Sequence, residues 1–230
     1  MPLPEEYIQQ YGSDTIIRWL APHLTTKRKQ RIDAVLDHRL CSIQLAIESP
    51  ADINNALAAV RTSEVLGLGK MHIIAPKHDA QQAPSITQGA IYWMDVCYHA
   101  TLHHFLTVMK NSILLLVGSR VTATRPLSAV PIDQPLCILI GNEQRGLSSA
   151  ARNACHLDYG IPMYGMSQSF NLSVAAGISL YDLTSRRRQY LQQSGDLTDE
   201  ERRFYQAKYY LGSVTPQLLR GLIARKNRAG

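Results

Sequence analysis

Three short stretches hold the polar residues whose types and spacing could do chemistry. In the stretch from Asp52 to Leu68 (DINNALAAVRTSEVLGL), Asn55 and Arg61 lie six residues apart. That is nearly two helical turns, so both side chains can project toward one side. Ala56, Ala58 and Ala59 between them allow close packing, and Val60, Val65 and Leu66 make the segment mostly apolar, so an arginine there needs a partner. In the stretch from Ile138 to Ser148 (ILIGNEQRGLS), an apolar run meets Gly141 and is followed by Asn142, Glu143 and Gly146. Polar residues at the carboxyl end of a parallel strand sit where open α/β sheets bind ligands. In the third stretch the apolar run Leu157 to Ile161 stops at Pro162, and a turn bearing Gly165 and Ser169 leads into a helix opening near Asn171. Strand, glycine-bearing loop and helix start leave backbone N–H groups free to hold a ligand.

The elements that must position these stretches alternate along the chain. Ser42–Ile47, Met71–Ala75, Ile91–Tyr98, Ile113–Val117 and Leu136–Ile140 read as strands, the last two uniformly apolar. Asp52 can cap a helix running to Leu66 with Gly67 as its stop, and Ala100–Lys110 has helical periodicity. Val174, Ala175, Ile178 and Tyr181 give the helix after Asn171 an apolar face. The expected fold class is α/β, a parallel sheet covered by helices on both faces. Residues 1–24 form an amphipathic extension suited to a docking helix. The segment that follows, TTKRKQRIDAVLDHR, crowds Lys27, Arg28, Lys29 and Arg31 into the first turns of a helix. Positive charge there opposes the helix dipole, and phosphate contact would account for it, with a solvated charged face as the plainer reading. From Leu183 onward there are ten Arg and Lys against four Asp and Glu, including Arg186, Arg187 and Arg188. This tail suits either covering the sheet edge or binding an anion.

Several classes of function are disfavoured. The 230 residues suit one medium domain with extensions, and the net charge of +6 agrees with a polyanionic partner or an ordinary basic surface. Cys41, Cys97, Cys137 and Cys155 are far apart with no CxxC pair, which argues against disulfide frameworks and zinc ribbons. His99 and His103 are four apart and could share a helix face. They lack the glutamate of HExxH and a third ligand, so no metal is expected. No GxGxxG, P-loop or GxSxG is present, and no apolar run approaches a membrane span. A reduced, cytoplasmic protein without a membrane partner is the simplest expectation.

The three stretches together resemble the SpoU-type branch of the SPOUT RNA 2′-O-ribose methyltransferases. N-x5-R matches Asn55 and Arg61, and G-x-E-x-x-G matches Gly141, Glu143 and Gly146. The third motif matches Ile161, Pro162, Met163, Gly165, Ser169, Asn171, Ser173 and Ala175. The likeness covers about half the chain and is greatest to the tRNA guanosine-18 2′-O-methyltransferases, on KRKQRIDAVLDHR before the first strand and the basic helical tail. Two departures stand out: Asp52-Ile53-Asn54 replaces a common histidine-proline, and Phe170 stands where leucine is usual.

The resemblance implies S-adenosylmethionine as cofactor, a C-terminal trefoil knot, a homodimer and tRNA as substrate, with guanosine 18 of the D-loop as target. It divides the chain into an N-terminal extension and basic helix (1–40), a catalytic domain (41–182) and a basic helical tail (183–230). It assigns main-chain groups of Gly118, Gly141, Ile161, Met163 and Phe170 to adenine and ribose. Ser169, Asn171 and Asn55 then line the reacting end, and Glu143 orients Arg61 and the loop. Arg61 would take the 2′-OH proton. A guanidinium stays protonated far above neutral pH, however, so clamping the neighbouring phosphate is the alternative role. Arg28, Arg31 and Arg186–Arg188 are the expected tRNA backbone contacts. Two rivals remain on the sequence alone: an rRNA methyltransferase, and a non-catalytic RNA-binding protein of the same fold.

Overall fold

Uniformly apolar runs such as Leu136–Ile140 become strands covered on both sides. In the computed structural model, which describes residues 4–75 and 83–227, six strands form one sheet. They are β1 (Ile43–Glu48), β2 (Lys70–Ile74), β3 (Asp95–His99), β4 (Leu115–Ser119), β5 (Leu136–Ile140) and β6 (Leu157–Tyr159). Their order is β3-β2-β1-β5-β4-β6, and every pairing is parallel. The helices are α1 (Pro4–Tyr11), α2 (Ser13–Leu20), α3 (Thr26–Leu36), α4 (Ile53–Val65), α5 (Ala83–Ile86), α6 (Leu102–Lys110), α7 (Ser149–Ala154), α8 (Leu172–Leu191), α9 (Asp199–Leu211) and α10 (Pro216–Asn227).

Contacts divide the chain into two units, Leu40–Ser194 and Met1–Arg39 with Gly195–Gly230. The first holds the sheet and has two cores, as the period-two alternation of strands demands. Leu45, Ile47, Ile73, Val117, Ile138 and Ile140 point to one face, where Ala56, Ala59 and Val60 of α4 and Ala176, Leu180 and Leu183 of α8 cover them. Ala46, Ile74, Leu116, Cys137 and Leu139 point to the other, against Phe105 and Met109 of α6 and Ala151 of α7. The boundary expected at residue 182 falls inside α8, one unbroken twenty-residue helix. In the second unit α9 packs on α1, α2 and α3. The start of α9 is a capping box in which Thr198 and Glu201 bond reciprocally. Arg39 is fully buried there and donates to the Tyr209 hydroxyl at 2.8 Å.

Helix boundaries follow local chemistry. Asp52 caps α4 through the Asn54 amide at 2.9 Å. At the other end Gly67, with φ +88°, lets Leu68 N–H reach Ser63 and Gly67 N–H reach Glu64. Those two bonds satisfy carbonyls that the helix leaves open. His99 ends β3 and Thr101 caps α6, so His99 and His103 share no helix face.

His99 instead meets His72 across β2 and β3, His99 Nε2 to His72 Nδ1, at 2.9 Å. Gln44 donates its amide to Cys41 O, which turns its Oε1 toward His72 Nε2 at 2.9 Å. His72 therefore carries its proton on Nε2 and accepts from His99, and His99 Nδ1 is left with a lone pair and no partner among the described residues. Burial, then the neighbouring His99 and Lys70, push His72 from 6.5 down to about 3. Above pH 6.5 both the folded and unfolded chain keep this group neutral. Below it the unfolded chain takes up a proton that the folded chain refuses until about pH 3. Stability is then lost as pH falls, at a slope approaching 1.4 kcal/mol per pH unit, about the free energy of one pKa unit. Urea midpoints between pH 7 and pH 4.5 should show this decline, and His72→Gln should make it markedly shallower. An unchanged slope in that variant would remove His72 as its source.

Candidate active site

The carboxyl ends of β4 and β5 and the chain leaving β6 face a cleft of about 460 Å³, within the range of small-molecule sites. Its wall includes Gly141, Glu143, Ile161, Met163, Ser169 and Phe170, gathered from the second and third sequence stretches. Gly118 is not part of that wall. It lies buried in β4, where an added Cβ would sit 3.0 Å from a Leu147 methyl carbon and 3.1 Å from Cys155 Sγ. Its neighbour Ser119 lines the cleft in its place. Gly141 allows no side chain at all, because a Cβ would fall 2.2 Å from Gly146 C and Leu147 N.

Beside the cleft, three side chains form one polarised hydrogen-bond chain. Asn171 Nδ2 donates to Asn55 Oδ1 at 3.0 Å, and Asn55 Nδ2 donates to Glu143 Oε1 at 2.9 Å. Asn171 is at the same time the cap of α8, accepting from Ser173 N–H at 2.9 Å and the Ser173 hydroxyl at 2.7 Å. Each amide thus donates toward the carboxylate and accepts from behind, an alignment in which the bonds strengthen one another. The other Glu143 oxygen accepts from Ala51 N–H at 2.7 Å. Burial raises the pKa of Glu143, but the Ala51 amide and the Asn55 side chain outweigh it and hold the carboxyl below its ordinary range. Glu143 makes no bond to Arg61, contrary to expectation; it orients Asn55 and the β1–α4 loop. Arg61 lies further along α4, exposed and without a hydrogen-bond or charge partner among the described residues.

A second clasp joins the same two loops. Asn142 Nδ2 donates to Ser49 O at 2.7 Å, while its Oδ1 accepts from Gln144 N–H at 2.9 Å and Arg145 N–H at 3.1 Å. Asn142 and Gly146 exchange backbone bonds, closing the loop on itself. The Glu48 carboxylate at the end of β1 accepts from Ser148 N–H at 2.9 Å. The geometry of the loop after β5 is therefore set by short-range turn chemistry plus ties from Asn142, Glu143 and Ser148 to the end of β1 and the residues after it, β1 and β5 being adjacent strands.

The C-terminal arginine triplet is placed differently from expectation. Arg186 pairs with Asp182 and donates to Val130 O and Leu127 O. Arg187 is buried, bonded to Ser42 Oγ at 3.0 Å and Ile132 O at 2.7 Å. Arg188 donates to Ser194 O and Leu66 O. These guanidinium groups satisfy carbonyls at the ends of loops, so they are structural members of the sheet unit. Arg28 and Arg31 lie exposed on α3. Arg120, Arg145 and Arg152, which no motif singles out, all line the cleft. The signal available was position: Arg145 stands inside the G-x-E-x-x-G spacing, and the other two follow a strand or open a helix near it.

Residues 42–181 match the SpoU rRNA Methylase family. The tRNA (guanosine(18)-2′-O)-methyltransferase of Borreliella burgdorferi is 31% identical over 199 residues, 83% of this chain and 88% of that protein. Among solved structures, the A. aeolicus TrmH/SpoU tRNA modifying enzyme superposes with a TM-score of 0.70 at 26% identity, covering 82% of this chain and 98% of that one. The AdoMet-bound rRNA methyltransferase of Sinorhizobium meliloti shares the fold at 20% identity, with a TM-score of 0.59 over 68% of this chain and 60% of that one. With the parallel sheet, the cleft at its carboxyl edge and the Asn171–Asn55–Glu143 chain already in place, these matches show that the chain belongs to the SpoU rRNA Methylase family.

Proposed function

We propose that this chain transfers the methyl group of S-adenosylmethionine to a ribose 2′-OH of tRNA, at guanosine 18 of the D-loop. The observation that carries this reading is the cleft itself. It brings Gly141, Ile161, Met163 and Phe170 into one wall with the Asn171–Asn55–Glu143 chain beside it. A glycine with no room for a Cβ and a loop closed by backbone bonds suit a flat heterocycle held by main-chain groups. The bound cofactor supplies an electrophilic methyl group, so what the protein must add is alignment of the ribose hydroxyl and a route for its proton. The 2′-oxygen forms the new bond to the methyl carbon as the carbon–sulfur bond breaks, leaving S-adenosylhomocysteine and a methylated ribose.

Asn171 and Ser169 define the reacting end. Arg61, permanently charged, holds the phosphate beside the reacting ribose, whose oxygen then receives the 2′-OH proton. Arg28 and Arg31 add backbone contacts that carry charge and no base information.

Two further properties belong to the same reading. The chain leaving β6 is a trefoil knot, supported by Gly160, which bonds Arg125 O and Leu127 N–H and lies against the carbonyls of Arg120 and Ala123. The protein is a homodimer, supported by Val174, Ile178 and Tyr181 of α8 and Val65 of α4, all exposed apolar side chains. Nucleoside mapping of tRNA and rRNA after incubation with the protein and labelled S-adenosylmethionine tests the activity. Label in 2′-O-methylguanosine at position 18 is expected; label confined to rRNA, or no label, overturns it. Sedimentation of the same preparation should give a single species of dimer mass, and a monomer at micromolar concentration would remove the dimer.

A further inference from the structure

Because Arg186, Arg187 and Arg188 are bonded inside the fold, the sheet unit must meet a polyanion with other cations. Three arginines line the cleft: Arg120, Arg145 and Arg152. Arg120 is neutralised by Asp158. The Arg145 side chain is exposed and has no hydrogen-bond or charge partner among the described residues. Arg152 is exposed too and spends one donor on Ser149 Oγ at 2.9 Å, keeping the rest of its fork. The carboxylate in the cleft wall, Glu143, is already committed to Ala51 and Asn55.

Two uncompensated guanidinium groups are the wrong lining for S-adenosylmethionine alone. That molecule brings a sulfonium and an ammonium against a single carboxylate, so added positive charge nearby weakens its binding unless an anion arrives with it. A phosphodiester supplies that anion, and guanidinium forks match phosphate oxygens in bidentate geometry. The backbone that carries each arginine is fixed. The backbone of Arg145 is pinned by Asn142 Oδ1, and α7, which carries Arg152, is capped by Ser148 through Ala151 N–H.

We propose that Arg145 and Arg152 form a phosphate-binding rim of the cleft, gripping the RNA backbone next to the nucleotide being methylated. The proposal rests on the methyl-transfer reading above. Arg145 shares its loop with Gly141 and Glu143 of the cleft wall, so RNA and cofactor would meet on neighbouring residues. RNA phosphate in the rim offsets the positive charge of the methyl donor, so the two ligands favour each other's binding.

The test uses Arg145→Ala, Arg152→Ala and the double variant, with tRNA affinity read across a salt series and S-adenosylmethionine affinity by calorimetry. Each single change should weaken tRNA binding about tenfold, and the double variant should lower the salt slope by about two, one for each phosphate contact. S-adenosylmethionine affinity without RNA should not fall. An unchanged tRNA affinity and slope in a double variant with a normal melting curve would overturn the rim. A loss of S-adenosylmethionine affinity in step with the arginines would also overturn it, assigning them to the cofactor carboxylate. Failure of the methyl-transfer reading shows separately, as wild-type protein that labels no RNA.

Discussion

Replacing Arg61 by alanine should lower methyl transfer about a thousandfold, the scale of a lost proton-transfer or alignment group, and should leave S-adenosylmethionine affinity within about twofold of wild type. The expectation follows from its surroundings. Arg61 is exposed, carries no bond to the Asn171–Asn55–Glu143 chain and lies outside the cleft wall. Its loss therefore removes neither a structural tie nor a cofactor contact, and the melting temperature should be unchanged. What disappears is the group proposed to align the acceptor. Arg61→Lys should recover part of the rate, because a lysine keeps the charge and loses the bidentate fork. Single-turnover kinetics with saturating tRNA measure this directly. Ordinary turnover in Arg61→Ala would exclude both the phosphate clamp and the proton acceptor.

Gly141→Ala should have the opposite profile, abolishing cofactor binding and lowering stability together. The added carbon would lie 2.2 Å from two backbone atoms, Gly146 C and Leu147 N. No rotamer change relieves a clash with main chain, so the loop that Asn142 and Gly146 close must open. Overpacking of this kind costs about 1–3 kcal/mol and often more where only backbone can move. The affinity for S-adenosylmethionine should drop at least about a hundredfold, the equivalent of about 2.7 kcal/mol. Gly165→Ala is the control for stability, since nothing lies within 4 Å of its added Cβ. Calorimetry and thermal melts of the two variants decide the matter. A Gly141→Ala protein that melts and binds like wild type would mean that the loop closure described here does not hold the site.

Much of this site was legible in the residues, for reasons that are local. Asp52 and Asn171 cap helices because short polar side chains before an apolar run have few better partners than free N–H groups. Leu136–Ile140 is a strand at its expected bounds because five apolar residues in a row can only be covered on both faces. What remained illegible depends on faces and partners. The helix α8 is apolar on two sides. Its buried side is Leu172, Ala176, Leu180 and Leu183, while Val174, Ile178 and Tyr181 are exposed. Periodicity alone does not say which stripe meets the sheet. Arg187 continues the buried stripe one turn on from Leu183 and Thr184, and there it finds Ser42 and Ile132. An arginine run looks like an anion site until the carbonyls that claim it are known. Strand starts shifted for a related reason: β3 begins at Asp95 because residues 90–92 turn as a short 3-10 helix, and β4 begins at Leu115. Apolar content extends past each strand without marking where pairing begins.

The strand order carries a consequence for how the protein is made. Ile43 of β1 has as its β5 partner Leu136, about 90 residues further along. A ribosome adding about 5–20 residues per second leaves that edge of β1 unpaired for on the order of 5–20 s. During that interval β1, β2 and β3 can pair among themselves, yet Leu45 and Ile47 await α8, whose residues come later still. The α1–α3 helices wait longest, since α9 is translated after the whole sheet. The nascent chain thus carries Ile16, Leu20 and Leu36 without their α9 cover through nearly all of its synthesis.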